Sequence, residues 1–130
     1  MPAYHSLYGR KFGIDQASGA LVSDDGTKTA TATGTGATGT ATLSKTQGKV
    51  TTGALTTIAT ATHVLTLTNT KIAATDTVLV TVGKGTATTG TPTVADVTPA
   101  AGSVVITIQN IHASAALNGT LIVGFLVMKA

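Results

Sequence analysis

Cysteine, tryptophan and glutamate are missing from this 130-residue chain, and each absence closes a route. Without cysteine there is no disulfide to brace a small core and no thiolate for metal binding or covalent chemistry. Without glutamate, acid–base work would fall to Asp15, Asp24, Asp25, Asp76 and Asp96 and to His5, His63 and His112, which apart from the adjacent Asp24 and Asp25 are dispersed along the chain. Charged residues make up only 10%, against the usual figure of about a quarter, and aromatics 3%. So few charges point to surface hidden in an assembly. A thin aliphatic core with no disulfide makes oligomerisation the obvious further source of stability. The longest apolar run, 121–128, is far short of the roughly 20 residues of a spanning helix, so no membrane partner is expected. The net charge of +3 comes mostly from isolated lysines without aromatic platforms, which speaks against nucleic acid. The first 13 residues carry no apolar signal core, so synthesis in a cytoplasm is expected.

What is abundant is threonine at every second position: Thr27, Thr29, Thr31, Thr33 and Thr35, then, after a one-residue slip at Ala37, Thr38, Thr40 and Thr42. A period of two with β-branched residues is the pattern of strands. Only Lys28, glycine and alanine stand between these threonines, so neither face can bury a large side chain, and the slip predicts a tight turn or bulge within a hairpin. Further strands are expected near 50–58, 63–68, 77–82, 93–98, 103–109 and 120–129. The breaks between them are a polar stretch at 69–76, a Gly/Thr loop at 83–92, a proline-led turn at 99–102 and a tight turn at Asn118-Gly119. The expected fold is therefore all-β, a jelly roll or β-sandwich of short antiparallel strands with an extended N-terminal arm. We divide the chain into an arm (1–25) and a β-domain (26–130). The β-domain holds a Thr/Gly/Ala-rich hairpin or loop (26–46) and a sandwich core (47–130).

Alternation also predicts which faces are buried. Val104, Ile106 and Ile108, and likewise Val78, Val80 and Val82, line one side of their strands, with Thr77, Thr81, Thr107 and Gln109 on the other. The last strand is apolar on both sides. Leu121, Val123, Phe125 and Val127 oppose Ile122, Leu126 and Met128, so it is expected to be central or covered by another subunit, and the second set are the candidate oligomer contacts. The arm holds three of the four aromatics, Tyr4, Tyr8 and Phe12, beside Arg10 and Lys11, and these five are the candidate partner-docking residues.

Chemical motifs are weak. Gly34 to Gly39 spells G-x-G-x-x-G, but that fingerprint needs a buried strand before it, a helix after it and an acid about 20 residues on, whereas the next acid is Asp76. Gly83-Lys84-Gly85 lacks the rest of a phosphate loop. The histidines lack paired metal-ligand spacing, and no nucleophile, base and orienting group can be assembled. No catalytic residue, metal or cofactor is expected.

The stretch from Val78 to Phe125, and above all PAAGSVVITIQNIHASAALNGTL, resembles the β-rich modules of tailed-phage virion proteins: capsid decoration or cement proteins and related head- and tail-fibre domains. The resemblance implies a structural protein of the capsid surface, frequently a trimer, that binds the major capsid protein. Two other readings are an adhesive or receptor-binding fibre module using the 83–92 loop, and an ice-binding threonine array.

Overall fold

The computed structural model describes residues 12–14, 17–19, 21–23 and 26–130, with side chains described at 17–19 and from 26 onward. Ten strands follow in order: β1 (Phe12–Ile14), β2 (Leu21–Ser23), β3 (Thr29–Thr31), β4 (Thr38–Thr42), β5 (Gln47–Thr51), β6 (Thr62–Thr68), β7 (Thr77–Lys84), β8 (Pro92–Ala100), β9 (Ser103–Asn110) and β10 (Leu121–Met128). There is no helix among the described residues. β1 and β2 pair as a hairpin of their own, so part of the segment read as an extended arm is strand. The other strands form two four-stranded sheets, β3-β5-β10-β7 and β4-β6-β9-β8, packed against each other as a β-sandwich.

The threonine tract does not fold back on itself within one sheet. β3 pairs parallel with β5 and β4 pairs parallel with β6, so the tract feeds one strand to each sheet and the sheets are mixed rather than purely antiparallel. The slip in the threonine pattern marks the crossing, pinned where Thr33 and Thr40 exchange backbone hydrogen bonds of 2.8 and 3.0 Å. Gly34 turns there at φ +90°, and a side chain would run into the Thr38 carbonyl. Small residues are required because the two sheets come together at this corner: Ala32 and Ala41 are both buried.

Inside, alternation places the core. Leu65 and Leu67 on β6, Val104, Ile106 and Ile108 on β9, and Leu121, Val123, Phe125 and Val127 on β10 all face inward and are buried. Each such aliphatic or aromatic side chain contributes about 1.5–3 kcal/mol relative to exposure. Val78 is buried too, whereas Val80 and Val82 are half-buried beside β7's free edge. β10 is the central strand of its sheet, paired with β5 on one side and β7 on the other.

Two turn expectations fare differently. The proline-led turn at 99–102 closes the β8–β9 hairpin, with Ala100 opposite Ser103. Asn118-Gly119 is not a tight turn, because β9 and β10 belong to different sheets. Instead Gly119 bridges to Leu55, and its backbone lies so close to Thr86 and Ala87 that a Cβ would sit 2.6 Å from the Ala87 nitrogen.

Candidate interaction surface

The outer face of the β3-β5-β10-β7 sheet is where the structure departs most from an ordinary solvated surface. Because side chains alternate, Ile122, Leu126 and Met128 emerge on the side opposite the core, 38%, 40% and 51% exposed. Leu126 lies directly opposite Leu79 of β7, itself 51% exposed, so apolar side chains from two adjacent strands form one band. The three oligomer-contact residues expected from sequence are thus brought together. Leu79 was missed, since only the register shows it beside Leu126. Ile58 and Ile111 are also exposed, on loops away from this band.

A groove of about 590 Å³ crosses this face. Its floor is Gly124, which has Lys49 of β5 on one side and Thr81 of β7 on the other, while Thr29 of β3 continues the same row beyond Lys49. Leu79, Leu126 and Gln47 form a wall and Lys28 stands at the β3 end. Glycine in the middle of a central strand weakens it and marks a place of close approach. Here a Cβ on Gly124 would meet the Thr81 hydroxyl at 2.8 Å. By register, this face carries Lys49 and no acid among the described residues: Asp76 precedes β7 and Asp96 lies on the other sheet.

The opposite outer face is built differently. Thr40 of β4, Thr66 of β6 and Thr98 of β8 share one row with Val105 of β9, and Thr42, Thr68 and Ser103 share the next. The threonine array therefore spans strands rather than running along one tract. β8 forms its edge, interrupted by a bulge between Val94 and Asp96.

One end of the sandwich is held by asparagines. Asn110 is fully buried, donates to the Thr57 and Ala115 carbonyls at 3.0 and 2.8 Å, and accepts from the backbone N–H of Thr91 and His112 at 2.9 and 3.2 Å. His112 Nδ1 accepts from Ser114 and Ala115 N–H, which makes it the Nε2–H tautomer. Asn118 accepts from the N–H groups of Thr88 and Thr89, fixing the exposed Gly/Thr loop. The phrase QNIHASAALNGT is therefore a loop-ordering device. His63 is buried on β6, donates from Nδ1 to the Gly36 carbonyl at 2.7 Å and leaves Nε2 without a partner among the described residues. At the other end, Asp76 accepts from Lys129 Nζ at 2.6 Å and from the N–H groups of Ala73 and Ala130. The Lys129 hydrogen bond, followed by that from Ala73, holds the Asp76 carboxyl below its ordinary value.

Among the described residues no group of three or more His, Cys, Asp or Glu side chains is placed to hold a metal ion. The Gly34–Gly39 stretch is the crossing between sheets, not a strand-to-helix turn. Of the docking residues, Tyr4, Tyr8, Arg10 and Lys11 lie outside the described residues, and Phe12 is placed only as a β1 backbone position. No protein-family model, curated protein or solved structure matches this chain.

Proposed function

We propose that this chain is a non-enzymatic structural virion protein, a capsid decoration or cement protein that acts as a homotrimer and binds neighbouring major capsid subunits from outside. The observation that carries the reading is the apolar band of Leu79, Ile122, Leu126 and Met128 on a sheet face whose other side already closes the core. Exposed apolar side chains set together on a rigid sheet mark a contact surface rather than a catalytic one. The band serves the trimer contact. The aromatic residues Tyr4, Tyr8 and Phe12, with Arg10 and Lys11, serve docking to the capsid. Aromatic anchors buried at about 25 cal/mol per Å² contribute several kcal/mol before ordering costs, and repetition around a trimer raises the avidity further.

Electron microscopy of capsid particles incubated with the purified protein tests this directly. Added density at symmetry-related positions on the outer surface, with a rise in the temperature at which the particles break, is the expected result. Absence of binding, or binding to host-cell glycans through the 83–92 loop instead, would replace it with the fibre-module reading.

A further inference from the structure

The groove and the opposite sheet's edge differ in a complementary way. The groove has a glycine floor and two leucines, Leu79 and Leu126, in its wall, has Lys28 and Lys49 at its β3 and β5 end, and lies on a face without an acid among the described residues. On the β8 edge Val94 and Val97 pack against the core, and the exposed side chains are Ala95, Asp96 and Thr98, with Asp96 the one acid. At its bulge Val94 pairs with Ile108 and Asp96 with Thr107, so Ala95 is the extra residue, and both Ala95 and Asp96 are exposed. A bulge of this kind pushes a side chain out of the regular pleat and re-aims it. Pro92 and Pro99 lack backbone donors, so this edge is poorly suited to extend a sheet and is suited to contact through side chains. Asp76 is already paired with Lys129, whereas Asp96 is exposed and among the described residues accepts only the Thr98 hydroxyl, at 2.8 Å on Oδ2, which leaves Asp96 as the acid on a described surface that can meet a cation of another molecule.

We infer that the groove over Gly124 receives the bulged β8 edge of a second copy, with Ala95 against the glycine floor and Asp96 between Lys28 and Lys49. The inference rests on the oligomer reading above and specifies its geometry. Socket and plug lie on different surfaces of one chain, so the contact is heterologous. Copies then join head to tail, and a rotation that closes gives a ring such as a trimer, whereas an isologous contact gives a dimer. The like-charged Lys28–Lys49 faces of two copies disfavour the isologous alternative.

The test is sedimentation equilibrium and native mass spectrometry of the full chain and four variants, with circular dichroism as the control for folding. The wild type sediments as a trimer at micromolar concentration. Asp96→Lys alone, and Lys28→Asp with Lys49→Asp, each raise the dissociation midpoint at least tenfold, and Gly124→Val abolishes association by filling the floor. The triple variant carrying Lys28→Asp, Lys49→Asp and Asp96→Lys restores the charge pairing and returns the midpoint to within about threefold of wild type. A wild-type trimer indifferent to these charges, or a triple variant that fails to recover while remaining folded, overturns the pairing and leaves the virion reading intact. A wild-type monomer overturns the pairing and the homotrimer together, and a dimer overturns the ring.

Discussion

Replacing Asn110 by alanine deletes one side chain and strands three backbone groups, the carbonyl of Ala115 and the N–H groups of Thr91 and His112, while the Thr57 carbonyl keeps the Leu117 N–H. A buried polar group that loses its partner costs its full desolvation penalty, so Asn110→Ala is expected to lower stability by about 2–4 kcal/mol, read from chemical denaturation. Asn110→Leu, similar in volume, fails for the same reason, which separates hydrogen bonding from packing. Asp76 gives a pH-dependent counterpart. Its carboxyl is held below the ordinary value of 3.8, chiefly by Lys129, so the folded state binds the proton more weakly than the unfolded chain does. The resulting stabilisation is fully present above that ordinary value and is lost as pH falls through the lowered one. Thermal melts of Asp76→Asn are therefore expected to lie below wild type at neutral pH and to converge with it in strong acid. Equal melting at neutral pH would show that the Lys129 bond contributes nothing.

β10 shows how far the pattern of a single element can be read. Its two apolar sides were legible, and so was the expectation that it would be central or covered; the structure makes it central and leaves one side exposed. Val123→Asp places a carboxylate at a fully buried position and is expected to unfold the domain or cost more than about 4 kcal/mol. Leu126→Asp, at a 40% exposed position, is expected to leave the melting temperature within a few degrees while weakening self-association, measured by sedimentation. Equal losses of stability in both would mean the outer side is not a contact surface. The strands after residue 60 and their inward faces were legible because alternation is a local property of the chain, whereas the strand expected at 50–58 is displaced to Gln47–Thr51. The groove was not legible, because Lys49, Gly124 and Thr81 are distant in sequence and become neighbours only through register. The threonine tract turns back at the antiparallel Thr33–Thr40 pair, but that its two strands part to different sheets was not legible, for a related reason. Thr, Gly and Ala fix an extended backbone but carry no large side chain to say which sheet the strand must join. Asn118-Gly119 misled because the same dipeptide that suits a tight turn also suits a side chain reaching for a neighbouring loop and a backbone with no room for a Cβ.

At the scale of the whole molecule, the buried core among the described residues runs from Ala32 onward with Ala30 packed against it, so removing residues 1–11, or changing Tyr4 and Tyr8 to alanine, is expected to leave the melting temperature unchanged while weakening attachment to capsid particles. Thermal melts and particle-binding assays should come apart; a truncation that unfolds the sandwich would place those residues in its core. A different consequence follows from the position of β10. β5 and β7 are separated in their sheet by a strand that follows both of them in sequence, and β9 likewise joins β6 to β8 in the other. Neither half of the chain can assemble a complete layer early, and loop-closure entropy must be met before the pairings that reward it. Folding should therefore be slow and wait for β10: nascent chains arrested before residue 121 remain protease-sensitive throughout. During that interval the unpaired edges of β5 and β7 are exposed to one another across crowded neighbours, so yield in the cell is set by how quickly the eight residues of β10, Leu121–Met128, insert between them.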